Sequence, residues 1–127
     1  MKSLVVSALV LCFTLSYSVA SAAEVEKLAL SEHYQVVGTN ANGSKYSGVA
    51  DIKGISDTTF SIVWHIGSAT QSGFGMRMKD TLSATYMLNG EPGLIIYRVQ
   101  GNGSFTGTWA IRGEKGLGTE TLTPRSR

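Results

Sequence analysis

The sequence has very few cysteines and histidines. It contains one cysteine, Cys12, and two histidines, His33 and His65. A lone cysteine cannot form a disulfide within the chain, so burial and hydrogen bonding must hold the fold. Two distant histidines do not supply the ligand spacing of a metal site. We therefore expect no metal site and no other cofactor.

Charge is also scarce. Charged residues make up 16% of the chain, and the formal net charge is +2. Proteins that bind nucleic acid or an anionic membrane usually present a marked basic surface. The sequence gives no electrostatic case for either partner.

The groups that catalysis requires are few and dispersed. Nucleophilic catalysis needs a Ser, Cys or Thr beside a base, and we expect His33 and His65 to be exposed strand residues. Paired carboxylates for sugar hydrolysis are not expected either, because the acidic residues are scattered and most fall in predicted turns. The residues concerned are Asp51, Asp57, Asp80, Glu91, Glu114 and Glu120. We predict no catalytic residues and no enzyme; a hydrolase-like enzyme, with a histidine beside a carboxylate in a cleft, is the weaker alternative.

The first 22 residues have the layout of a secretory signal. Lys2 precedes the apolar run SLVVSALVLCFTL, and Ala20-Ser21-Ala22 supplies small residues before a cleavage point. The run is shorter than the roughly 20 apolar residues of a membrane anchor, and the alternative that Cys12 carries a lipid is disfavoured by Leu11 before it. We predict a signal peptide at 1–22, a secreted or periplasmic protein, one domain at 23–127, and no membrane span in the mature chain.

From His33 onward the hydrophobic pattern has a period of two, which is typical of strands with one buried face. Turn signals such as Asn42-Gly43, Asn89-Gly90 and Asn102-Gly103 separate the runs at short intervals. The pattern predicts eight strands, near 33–40, 45–53, 59–66, 69–77, 81–87, 93–100, 104–111 and 117–122.

Two stretches of the chain are similar, VVGTNANGSKYSG and VQGNGSFTG, and both contain Asn-Gly-Ser. This tripeptide is an acceptor pattern for an N-linked glycan, but Asn-Gly between alternating runs is also a strong hairpin signal, since a type I′ turn needs two residues with positive φ. Asn89-Gly90 lies between two such runs without a following Ser or Thr. We therefore predict turns at both copies.

Eight short antiparallel strands with hairpin links favour an all-β, up-and-down barrel, because closure leaves no open edge. The alternative is a two-sheet β-sandwich. An eight-stranded barrel is just wide enough for side chains or one small ligand. Glycines within the strands are expected to mark bulges or sharp bends; they are Gly48, Gly73, Gly75, Gly93 and Gly107.

The alternation directs six large rings inward: Phe60, Trp64, Tyr86, Tyr97, Phe105 and Trp109. These rings either fill the barrel or surround a pocket at one mouth, since Tyr and Trp combine an apolar body with a polar tip. The candidate ligand-binding residues are Trp64, Tyr86, Tyr97 and Trp109. Arg98 is expected to face outward.

The segments YQVVGTNANGSKYSG, FSIVWHIG, GLIIYRVQGNGSFTGTW and GTETLTP resemble those of small secreted bacterial proteins commonly labelled fibronectin-binding. The resemblance extends from about Tyr34 to Pro124. It implies an exported bacterial protein with a host-matrix partner, and it supplies no motif for a binding or catalytic residue.

Gly107-Thr108-Trp109 is similar to the Gly-x-Trp element of avidin and lipocalin barrels, although in those families it lies near the first strand and here it lies in the predicted seventh.

We expect an exported, non-enzymatic protein that binds a small apolar or amphipathic ligand or an extracellular protein. Val63, Leu94 and Ile96 fall on the outward face, where an apolar patch would mark a partner or a homodimer interface.

Overall fold

The chain forms a closed β-barrel in the computed structural model, which describes Leu30 and residues 32–126. The strands follow one another around the barrel in chain order, each antiparallel to its neighbours. The barrel closes where the first strand pairs with the last, for example Val36 with Leu122. The strands are β1 (His33–Thr39), β2 (Lys45–Gly54), β3 (Thr59–Ile66), β4 (Ala69–Met78), β5 (Thr81–Leu88), β6 (Glu91–Val99), β7 (Phe105–Ile111) and β8 (Gly118–Pro124).

This topology confirms the predicted up-and-down barrel, and the two-sheet sandwich is wrong because one continuous sheet closes on itself. Every predicted strand is present, with its ends within two residues of the expected positions. The predicted signal at 1–22, with Cys12, lies outside the described residues. Within residue 30 and residues 32–126, no helix has the length and apolar character needed to cross a membrane.

The two Asn-Gly-Ser copies form the same turn, which confirms the prediction of turns. In Asn42–Ser44 and in Asn102–Ser104, the asparagine side-chain oxygen accepts hydrogen bonds from the serine N–H at 3.0 Å and the serine hydroxyl at 2.6 Å. Only the glycine has a positive φ, 88° at Gly43 and 81° at Gly103. This is the pattern of a three-residue hairpin loop rather than type I′. Both central residues have positive φ at Asn89-Gly90, 51° and 78°, as type I′ requires.

The glycines within the strands do not mark bulges, so that part of the expectation is wrong, and sharp bends at these positions stay a prediction. The pairing registers run unbroken through all five of them. Their role is to leave room for an aromatic ring or a backbone oxygen of a neighbouring strand. A Cβ on Gly75 would lie 2.5 Å from the Phe60 ring, and one on Gly107 would lie 2.6 Å from the Tyr97 ring.

One end of the barrel is filled with side chains. This closed end carries the β2–β3, β4–β5 and β6–β7 turns. Tyr34 packs on Phe105 with ring centroids 5.2 Å apart, and Phe105 lies 6.1 Å from the Tyr97 ring. Phe60 and Leu82 are fully buried near the same end. These residues belong to the hydrophobic core, and the burial of such side chains is the main force that stabilises the barrel.

The outer wall carries an apolar patch across β4, β5 and β6. The pairing register places it in two rows, Phe74–Thr85–Leu94 and Met76–Ser83–Ile96. We call Phe74, Met76, Leu94 and Ile96 the outer-wall patch; each is more than half exposed. Leu94 and Ile96 therefore face outward as predicted. Val63 also lies on the outward face, opposite Asp51 and Ser72, but it is partly buried. Arg98 is also exposed, and its guanidinium pairs with Asp80 at 3.3 Å.

Candidate functional site: an aromatic cavity at the open end

The opposite end of the barrel is hollow. This open end carries the β1–β2, β3–β4, β5–β6 and β7–β8 turns, and a cavity of about 240 Å³ lies within it. Its aromatic wall consists of Tyr46, Trp64, Tyr86 and Trp109. Aliphatic side chains complete most of the wall: Ile66, Leu88, Ile95 and Ile111. The polar lining residues are Asn40, Gln71 and Glu120. An apolar cavity with a few convergent polar groups is the usual form of a small-molecule site.

The alternation of the strands and the glycines that face the rings position the aromatic side chains of the cavity. Trp64 and Tyr86 lie on the inward face of β3 and β5, and their rings meet edge to face with centroids 5.5 Å apart. For Tyr46, Tyr86 and Trp109, the paired residue on a neighbouring strand is a glycine. These pairs are Gly38 with Tyr46, Gly93 with Tyr86, and Gly118 with Trp109. A side chain at any of these glycines would overlap the ring that it faces.

Glu120 is one of the residues that line the cavity, and it is 6% exposed. Its Oε1 accepts a hydrogen bond from the Tyr46 hydroxyl at 3.0 Å. Its Oε2 accepts one from the Trp64 indole N–H at 3.2 Å and a short one from the Tyr97 hydroxyl. The Trp109 indole N–H donates to the Tyr46 hydroxyl at 2.9 Å, which connects Trp109 to the carboxylate. Four rings from four strands are thus fixed around one acidic group.

Burial shifts the acid–base behaviour of the cluster. Desolvation raises the pKa of Glu120, and the hydrogen bonds from Tyr97, Tyr46 and Trp64 oppose that rise. Burial and the nearby Glu120 charge raise the pKa of Tyr86 to about 12. The same two causes raise the pKa of Tyr46 and of Tyr97 above its ordinary value. The three tyrosine hydroxyls therefore remain protonated and neutral at physiological pH.

The structure gathers three of the four candidate ligand-binding residues into the cavity wall. Trp64, Tyr86 and Trp109 line it, whereas Tyr97 is fully buried beneath the wall and reaches the site only through its hydroxyl. The interior is therefore filled at one end and hollow at the other, so both of the arrangements considered for the inward rings occur.

Sequence reasoning missed Glu120 and Tyr46 as site residues. A usable signal existed for Glu120, because Gly118, Glu120 and Leu122 share one phase of the β8 alternation and all three are buried. That shared phase indicates an inward side chain for Glu120, whereas the wide spacing of the acidic residues along the chain gives no such indication. Tyr46 is the second residue of β2 and is half-buried, and it shares the inward phase of the buried residues Ala50 and Ile52, so alternation offered a signal for it as well.

The histidines lie on the outside of the barrel around Asp51, and neither lines the cavity. His33 Nδ1 is 2.6 Å from one Asp51 carboxylate oxygen, and His65 Nε2 is 3.5 Å from the other. The hydrogen bond from His33 lowers the pKa of Asp51. His33 is one-quarter exposed at its side chain, so the expectation of exposed histidines fits His65 better. Among residues 30 and 32–126, no three or more His, Cys, Asp or Glu side chains are arranged so that they could hold a metal ion.

Comparison with known proteins gives likeness of fold only. No family model matches the chain, and no curated protein matches it. Among solved structures, a redesigned β-barrel, b11L5F_LGL, is similar with a TM-score of 0.62 at 20% identity, over 76% of this chain and 92% of that one. A de novo designed fluorescence-activating β-barrel is similar with a TM-score of 0.57 at 11% identity, over 76% of this chain and 94% of that one.

A third solved structure, EF1p2_mFAP2b bound to DFHBI, has a TM-score of 0.55 at 20% identity, over 76% of this chain and 94% of that one. At these identities the likeness is one of architecture. All three proteins are similar to this chain in fold, and the chain has the fold of a closed β-barrel.

Proposed function

We propose that the protein is an exported, non-enzymatic binding protein that holds a small apolar or amphipathic molecule in the open end of its barrel. The observation that carries the proposal is the 240 Å³ cavity, walled by four aromatic rings. Burial of apolar ligand surface against such rings is favourable, and the rings are already held in place by hydrogen bonds and glycine contacts. The signal-like sequence of residues 1–22 supports the export part of the proposal.

The designed barrels support this proposal by analogy. One of them has bound DFHBI, and another is fluorescence-activating, so small molecules do occupy barrels of this architecture. The fold alone does not determine function, because binding depends on the side chains of the site. In this chain those side chains are the aromatic and aliphatic residues of the cavity wall.

Titration with prodan, a neutral environment-sensitive dye, tests the proposal. We expect a saturable rise and blue shift of prodan emission with the purified mature protein. Trp109→Ala should weaken that binding by roughly tenfold, because loss of a ring that contacts the ligand removes its buried apolar surface. Trp109 is only partly buried, so the variant should remain folded by circular dichroism.

Phe74→Ala is the matched control, since it removes a ring from the outer wall and leaves the cavity unchanged. Its prodan affinity should equal that of the unmodified protein. A signal that rises linearly without saturation, or that Phe74→Ala reduces as much as Trp109→Ala, contradicts the proposal.

The outer-wall patch favours a second candidate function, the binding of a protein. Contiguous exposed apolar residues on a small domain mark interaction surfaces. Either a second copy of the chain or the extracellular-matrix partner implied by the sequence resemblance would cover Phe74, Met76, Leu94 and Ile96. In the self-association version, light scattering should give twice the monomer mass, and Leu94→Ser with Ile96→Ser should restore the monomer. A monomeric unmodified protein at high concentration would rule out the homodimer.

A further inference from the structure

Glu120 is a buried carboxylate without a neighbouring cation. None of the ion pairs among the described residues includes it. Its three protein partners, Tyr46, Trp64 and Tyr97, are all neutral donors. An ionised carboxylate is costly to remove from water unless opposite charge or enough hydrogen bonds compensate it. The three hydrogen bonds partly stabilise the ionised form of Glu120, but none of the described residues places an opposite charge beside the carboxylate to balance it.

The carboxylate also has capacity for another donor. Each oxygen of an ionised carboxylate can accept about two hydrogen bonds. Oε2 accepts from both Trp64 and Tyr97, whereas Oε1 accepts from Tyr46 alone. Glu120 lines the cavity, so a ligand in the cavity can supply the missing donor.

The walls around this acceptor suit a cation. The faces of Trp and Tyr rings carry negative electrostatic potential and attract ammonium groups. Trp64, Tyr86, Trp109 and Tyr46 supply four such rings from four different strands. A neutral apolar ligand would use the rings and leave the charge of Glu120 unbalanced, whereas an organic cation would use both.

We propose that the natural ligand is a small organic cation, an ammonium with at least one N–H, which donates to Glu120 while its apolar part lies among the aromatic rings. The proposal rests on the proposed function, because it requires the cavity to hold a ligand. Burial raises the pKa of Glu120, and a bound cation would lower it by stabilising the ionised form.

Isothermal titration at pH 7 with benzylammonium and benzyl alcohol tests the proposal, because the two probes have similar size and differ in charge. The unmodified protein should bind benzylammonium at least about tenfold more tightly, as expected for a hydrogen bond to a charged group. Phenylacetate, an anion with the same ring, should bind most weakly. Glu120→Gln keeps the shape of the side chain and removes its charge, so it should reduce the preference for benzylammonium to about twofold or less.

A pH series on the unmodified protein provides a measurement that does not depend on the variant folding. Benzylammonium remains charged between pH 8 and pH 4, as alkylammonium groups do. The other titratable groups facing Glu120 are Tyr46 on β2, Tyr86 on β5 and Tyr97 on β6, and their raised pKa values keep them neutral over this range. The preference for benzylammonium should therefore fall as Glu120 takes up a proton.

The outcomes separate the two proposals. If prodan binds and benzylammonium shows no preference over benzyl alcohol at pH 7, the cation proposal fails and the proposed function stands. If the preference is the same in Glu120→Gln and at every pH, Glu120 is not the recognition group and the cation proposal is overturned. If neither prodan nor any benzyl probe binds, the cavity is not a ligand site and the proposed function fails first.

Discussion

Trp64→Ala should lower the free energy of unfolding by about 3–5 kcal/mol, as expected for removal of a buried aromatic side chain. Trp64 is 4% exposed and packs edge to face on Tyr86. The change also removes one of the three donors to Glu120. A small domain is typically stable by only about 5–15 kcal/mol, so this variant should be close to unfolding at 37 °C. Urea denaturation followed by circular dichroism measures the loss.

Two related variants divide this loss into its parts. Trp64→Phe retains a ring and removes the indole N–H, so its cost should be smaller, about 1–3 kcal/mol for the lost hydrogen bond to a charged group. Trp109→Ala should cost less than Trp64→Ala because Trp109 is only partly buried. A Trp64→Ala variant that loses under about 1 kcal/mol would show that Trp64 does not belong to the core.

Gly48→Ala should destabilise the barrel by about 1–3 kcal/mol or more, as overpacking does. A Cβ at this position would overlap the backbone oxygen of His65 and lie 2.7 Å from Ile66 Cδ1. The oxygen belongs to β3, which is paired to β2, so a rotamer change cannot relieve the overlap and the strands must separate. Thermal and urea unfolding should both show the loss.

Gly54→Ala is the control for this prediction. Gly54 ends the same strand, and a Cβ there has no atom within 4 Å. Its φ is not in the left-handed region. Replacing such a glycine should be neutral or should stabilise by about 0.4–1 kcal/mol through the unfolded state. Equal losses for Gly48→Ala and Gly54→Ala would mean that close approach of the strands at Gly48 is not a requirement of the fold.

The strands and their order were predictable because the signals are local. Alternation with a period of two appears within a single run such as Phe60–Ile66. The turn to the next strand is indicated by two or three residues, such as Asn89-Gly90. Strands joined by such short links pair antiparallel, because parallel neighbours need a much longer connection. The turn type was less predictable, because only Asn89-Gly90 adopts the two positive φ values that Asn-Gly suggests.

The site was only partly predictable because its residues meet across large separations in the chain. Trp64, Tyr86 and Trp109 were identified as inward rings from alternation. The interaction of Glu120 with Tyr46 spans 74 residues and that with Trp64 spans 56. The alternation of β8 puts Glu120 in the inward phase, but a carboxylate in a strand usually faces solvent, and the donors that satisfy it come from β2, β3 and β6.

An eight-stranded antiparallel barrel with its large rings inside could be predicted from the sequence, since alternation and turn chemistry act between near neighbours in the chain. Where those rings leave space could be seen only in the folded molecule. Phe60, Phe105 and Tyr34 fill one end, whereas Trp64, Tyr86 and Trp109 surround a cavity with a buried acid at the other. That division depends on how side chains from all the strands share one interior volume, and close packing in three dimensions sets it.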